Sequence, residues 1–170
     1  DLSVTLSDDA HTEVAGRAFT LRAASVSVFT GVGFTGWDPL TGEVNYGAVG
    51  LAIRRANVGL LLMRPKSGEA ATYVALKATA DRAGFVGIDG FELSASGIVF
   101  GYNAVDKEGA TSSTPVVDFQ ASFPAVVGSG TTQAGYRFGG GSTGLLLDYT
   151  TSLLRAGVAD SMLRIGNYVF

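Results

Sequence analysis

The sequence has no cysteine, one histidine and only 4 prolines among 170 residues. Without cysteine, a disulfide scaffold and a thiolate metal site are both excluded. A histidine-based metal site or a Ser-His-Asp triad needs partners that the sequence does not place. The lone His11, in Ser7-Asp8-Asp9-Ala10-His11-Thr12, therefore reads as a solvated loop residue. Charge is scarce as well: 16% of residues are charged, against about 25% in an average soluble domain. Twelve basic residues face fifteen acidic ones for a net charge of −3, and the isoelectric point is near 5.0. Such a chain carries no electrostatic footprint for a nucleic-acid backbone. Its basic residues are scattered singly, apart from the pair Arg54-Arg55. No uncharged apolar run is long enough for a transmembrane helix, and no charged start followed by an apolar stretch marks a signal peptide. A first residue Asp1 and an end at Tyr168-Val169-Phe170, inside a strand-like pattern, suggest a segment of a longer chain.

What is present is apolar and rich in glycine. Hydrophobic residues make up 46% and mean hydropathy is +0.30, which excludes intrinsic disorder. The 24 glycines are about twice the usual share, but they have no three-residue period, so a collagen-like chain is excluded. The length predicts one domain, residues 1–170, able to bury a sizeable core. Apolar residues alternate with period two and no helical stripe emerges. Strands are expected over 2–7, 17–32, 48–64, 72–88, 91–105, 115–127, 133–138, 144–150 and 153–170, separated by polar or glycine-rich connectors. The β-branched and glycine content of 148–159 also argues for strand. The predicted fold is all-β: an antiparallel meander of long, bulged or bent strands forming a curled, extended sheet.

An internal phrase supports the bends. Leu21-Arg22-Ala23-Ala24-Ser25-Val26, Ile53-Arg54-Arg55-Ala56-Asn57-Val58 and Leu93-Ser94-Ala95-Ser96-Gly97-Ile98 are similar. Leu76 to Ala80 and Leu154 to Ala159 fit more loosely. In each clean copy the apolar parity flips across the small-residue centre. Side chains alternate faces strictly along a strand, so a flip needs an extra residue or a bend. Breaks are expected near 24, 56, 81, 96 and 157. Their uneven spacing argues against a β-helix of fixed coil length. Asp89-Gly90 predicts a two-residue type I′ hairpin pairing Ile88 with Phe91, with a bulge near 81–83 to restore the alternation beyond it.

No group of residues forms a catalytic constellation, and a non-enzymatic role is expected. The connector Gly36 to Asn45 offers Asp38, Glu43 and Asn45 as candidate calcium ligands around Gly42, since calcium loops alternate oxygen ligands about a glycine turn. Pro39 and Leu40 stand where such loops carry Asp or Asn, and the alternative is an Asp-Pro turn with Trp37 folded onto the sheet. Gly139 to Ser142 lacks the Lys-Ser/Thr of a phosphate loop and reads as a turn. Asp81, Asp89, Asp118 and Asp148 are spread over different strands or turns, and nothing pairs two of them for glycoside chemistry. Arg22, Arg54, Lys77 and Arg155 recur just before the breaks and are expected on a solvated face that discourages edge association.

The phrases Tyr73 to Ala80 and Gly84 to Ala95, with Leu2 to Asp9 and Leu163 to Phe170, resemble a repeat unit of giant bacterial secreted or surface proteins of the RTX-adhesin-like kind. That resemblance implies a structural repeat module of a secreted or cell-surface, adhesin-like assembly, one unit of a tandem array. It also implies a calcium-type insert where Trp37 to Asn45 lies, although this copy keeps few of the ligands. Neighbouring copies are the expected partners, joined through edge strands at Leu2 to Ser7 and Tyr168 to Phe170 into an oligomer, filament or ring. Two other readings stand beside it. An outer-membrane β-barrel suits the strand number and terminal Phe170, though Arg54 and Arg55 occupy both faces of one strand. A carbohydrate-binding module would use Trp37, Tyr46 and Tyr102 as stacking platforms.

Overall fold

The computed structural model describes residues 1–68, 70–125, 133–139 and 144–170. It is mostly strand. The elements are β1 (Leu2–Leu6), β2 (Glu13–Val32), β3 (Val49–Pro65), β4 (Thr72–Val86), β5 (Phe91–Asp106), β6 (Val117–Asp118), α1 (Phe119–Ser122), β7 (Tyr136–Phe138), β8 (Leu145–Leu147), β9 (Leu153–Gly157), β10 (Asp160–Ile165) and β11 (Tyr168–Val169). The main sheet runs β11-β10-β5-β4-β3-β2-β1-β6, with β9 also paired to β5, and β7 and β8 form a separate ribbon. The expected antiparallel meander of long strands is therefore what forms. Its sheet stays open, so the strand count does not translate into a closed barrel.

The chain divides into two compact units. The first comprises Asp1–Arg22, Val58–Ala78 and Phe100–Arg155; the second comprises Ala23–Asn57, Thr79–Val99 and Ala156–Phe170. Strands β2 to β5 contribute to both. Their crossing points fall at the breaks that the parity flips predict, within a few residues of Ser25, Arg55, Asp81 and Gly97. Ser25 (φ 54°), Arg55 (φ 45°) and Gly97 (φ 59°) are left-handed within their strands. A left-handed residue inside a strand is a bulge device, natural for glycine and costing an L-residue about 1–2 kcal/mol. Gly97 is the cheap solution, and it also leaves space beside Ala159, whose Cβ would stand 2.6 Å from an added Cβ.

In the first unit one sheet face is covered. Val4 and Leu6 of β1, Leu61 and Met63 of β3, and Tyr73 and Ala75 of β4 are two apart in their strands, so each pair lines one face. Over them lie Phe119 of α1, Phe138 of β7 and Leu147 of β8, all buried. The ribbon has the register Tyr136↔Leu147, Arg137↔Leu146 and Phe138↔Leu145. Rings of Phe119, Phe123, Tyr136 and Phe138 follow one another at centroid distances of 6.4, 5.3 and 5.2 Å. Phe138 packs against Gly59, where a Cβ would collide with the ring. Asn103, 1% exposed, donates Nδ2 to the carbonyls of Val117 and Thr151, each at 2.9 Å.

The second unit has no such cover among the described residues. Its buried side chains are Ala48, Ala52 and Ala80 alone. Across β5 and β10, Leu93 pairs with Leu163 and Phe91 with Ile165. Across β10 and β11, Ile165 pairs with Tyr168. Directly opposite residues share a face, so these form an apolar surface on which Leu93, Ile165 and Tyr168 are 40, 52 and 72% exposed.

Three local expectations are corrected. The strand expected over 115–127 shortens to β6 and gives way to one helical turn: the Asp118 carboxylate accepts the Ala121 N–H at 2.9 Å and caps it. Residues 126 and 127 of that span lie outside the described residues, as do 140–142 of the glycine turn. The strand expected over 153–170 is three strands, β9 to β11, with Gly166 (φ 58°) and Asn167 turning the last two. At Asp89-Gly90 the hairpin forms, but only Gly90 has positive φ (70°). Type I′ needs it at both residues, so the signs fit type II instead. β4 ends at Val86, and Phe91 N–H closes the turn onto the Ile88 carbonyl at 3.1 Å.

Candidate functional site

The connector Trp37 to Asn45 folds as a small closed loop of the second unit. Trp37 and Val44 bridge antiparallel, and Asp38 N–H donates to the Glu43 carbonyl at 2.8 Å. The Asp38 carboxylate accepts the N–H groups of Leu40 (2.8 Å) and Thr41 (2.9 Å). Those two bonds, Thr41's the larger, hold its pKa below the usual carboxylate value. Glu43 Oε1 pairs with Arg54 Nη1 at 2.5 Å. Asn45 Oδ1 accepts from Thr35 N–H at 2.8 Å, and its Nδ2 donates to the Gly33 carbonyl at 3.0 Å. The three candidate calcium ligands thus work separately, as turn cap, ion-pair partner and loop clasp. Among the described residues, no three His, Cys, Asp or Glu side chains gather as a metal cluster. Trp37 is half-buried, edge-on to Phe34 at 5.6 Å, and Phe34 stacks on Phe29 at 4.9 Å. Tyr46 is fully exposed, and Tyr102 belongs to the first unit.

The remaining candidates are dispersed. His11 sits in the turn between β1 and β2, where Asp8 accepts Thr12 N–H (2.8 Å) and Thr12 Oγ1 (2.6 Å); these bonds lower the Asp8 pKa, the hydroxyl's most. Asp81 pairs with Arg55 at 2.5 Å and Asp148 with Lys77 at 3.1 Å. Asp89 lies in its hairpin turn and Asp118 caps α1. Arg54 and Lys77, expected on a solvated face, are instead largely withdrawn, with side chains 16 and 22% exposed. Lys77 also donates to the Leu146 carbonyl at 2.8 Å, its ammonium lying 5.7 Å from the centre of the Tyr149 ring. Burial, then the neighbouring Asp148 charge, pushes the Tyr149 phenol up to about 12.

Two arrangements lie outside the sequence expectations. In the second unit, Glu43, Arg54, Arg82, Glu92 and Arg164 line a cleft of about 280 Å³. Glu92 faces Arg164 at 3.1 Å and Arg82 at 3.7 Å. Each carboxylate there is matched by a guanidinium, which leaves no free base. At the bulges, polar side chains serve displaced backbone donors. Asn57 Oδ1 accepts the Ser25 N–H at 3.1 Å, and Ser27 Oγ accepts the Arg55 N–H at 3.2 Å. Ser and Asn beside a parity flip are the signal that would have found them.

The edges of the sheet are the other available surface. β1, expected to join a neighbour, lies between β2 and β6, because β6 supplies the outer partner for Thr5 and Leu6. β11 does lie at the end of the strand order. Compared with family models, with curated proteins and with solved structures, the chain matches none.

Proposed function

We propose that this chain is a non-enzymatic structural module that associates with further copies of itself through its sheet edges and bare apolar surface. In this reading it is one unit of a tandem array in a large secreted or cell-surface bacterial assembly, adhesin-like in setting. The observation that carries it is the second unit: strands with Phe, Leu, Ile and Val along them, yet nothing larger than alanine buried. Apolar surface gains about 25 cal/mol for each Å² removed from water, and a face left bare by its own chain gains this from a partner. Contiguous exposed apolar patches of this kind mark interaction surfaces. The charged cleft supports the same role, since its Arg and Glu groups are paired with one another.

Light scattering of the 170-residue chain across concentration tests this. Reversible growth in mass with concentration is the expected result. A monomer that persists undiluted and concentrated alike overturns the reading.

A further inference from the structure

We infer that the outer edge of β2, from Val26 to Val32, pairs antiparallel with the same segment of a second copy across a twofold axis. β2 has β3 on one side and β1 on the other, but β1 reaches only Glu13 to Gly16. Among the described residues, no strand takes the outer side of β2 after Gly16. Within the second unit this leaves Ala23-Ala24-Ser25-Val26-Ser27-Val28-Phe29-Thr30-Gly31-Val32 as an edge. Unpaired edge strands present a row of N–H and C=O groups whose natural ligand is another extended strand. Native edges are usually blunted by charge, proline or a covering segment. These ten residues contain no charge and no proline, while Val26, Val28 and Val32 are 40, 48 and 70% exposed. The one blunting device is the left-handed Ser25, and its N–H is turned to Asn57 of β3. Seven residues beyond it remain extended.

The occupant follows from charge. A twofold pairing brings a segment against itself, so any charged residue would meet its own sign nearby. A neutral segment is what self-pairing requires; β3, β4, β5 and β10 all carry charged residues in their second-unit portions, and the uncharged edge strand β11 spans only Tyr168–Val169. Centred on Phe29, the pairing sets Val26 opposite Val32 and Val28 opposite Thr30 on one face. Ser27 then faces Gly31 on the other face, and every residue of the span finds a partner. This deepens the proposed function and rests on it, by naming which edge joins two copies.

The test uses the absence of native cysteine. Phe29→Cys places two thiols directly opposite each other, whereas Val26→Cys leaves them six residues apart, roughly 20 Å. Under mild oxidation, Phe29→Cys is expected to form a covalent dimer and Val26→Cys to stay uncrosslinked. In parallel, Val28→Lys should weaken association at least tenfold by sedimentation, with circular dichroism showing that the strands persist. Tyr168→Lys, at the other edge, should leave dimerisation through β2 unchanged. Association that survives Val28→Lys but is lost in Tyr168→Lys, or equal cross-linking of both cysteine variants, overturns the β2 edge while leaving edge-driven assembly standing. A wild-type chain that stays monomeric overturns both.

Discussion

Both units of this protein are built from alternating strands, yet every described buried side chain larger than alanine belongs to the first. The difference lies in the second layer, not in the strands. A sheet becomes a stable core only when another layer covers its apolar face. In the first unit α1, β7 and β8 bring Phe119, Phe138 and Leu147 onto β1, β3 and β4. In the second unit, the same kind of face, with Phe91, Leu93, Leu163 and Ile165 in register, is left without a covering layer by the described residues: Phe91 and Leu163 are half-buried, and Leu93 and Ile165 are exposed. Alternation therefore specifies which residues share a face, but not whether that face is finished within the chain.

The largest expected effect sharpens this contrast. Phe119→Ala should cost about 3–5 kcal/mol, the range for a buried aromatic replaced by alanine, whereas Leu93→Ala, 40% exposed, should cost about 1 kcal/mol or less. Chemical denaturation at low concentration, where copies are apart, measures both; equal losses would break the comparison. Next in size is the buried asparagine of the first unit, read by the same denaturation. Asn103→Ala strips a buried donor from two carbonyls and should destabilise by about 1–3 kcal/mol. The smallest effect concerns Tyr149. Its phenol pKa is raised to about 12 from an unfolded value near 10, so its contribution is complete below about pH 10 and is lost as pH rises towards 12. With the group partly exposed, the loss should be roughly 1 kcal/mol after solvent screening. Tyr149→Phe should abolish that alkaline step, read as the pH dependence of the denaturation midpoint.

Much of the architecture was legible in the residues. Period-two alternation located the long strands, and the parity flips near 24, 56 and 96 fell beside the left-handed Ser25, Arg55 and Gly97, because side-chain parity is a local property of the backbone. The turn type at Asp89-Gly90 was less legible, since several turns accept the same dipeptide. The loop at Asp38, Glu43 and Asn45 shows the limit more sharply. Oxygen-bearing residues at loop spacing suggest ligands, but Arg54 and the loop's own N–H groups compete for the same oxygens. Arg54 lies in β3, eleven residues from Glu43, and their meeting depends on how the loop folds back.

By itself, the sequence determined the all-β class, the antiparallel meander and the positions at which its strands bend. It did so because these follow from neighbours along the chain. Only the tertiary structure decided that β6 pairs with the end of β1 while β2 outruns β1, and that one unit receives a covering layer. Those outcomes rest on which strands meet across the sheet and how far each extends past its neighbour. The low charge of the whole composition becomes, along Val26 to Val32, the property of one uncovered edge.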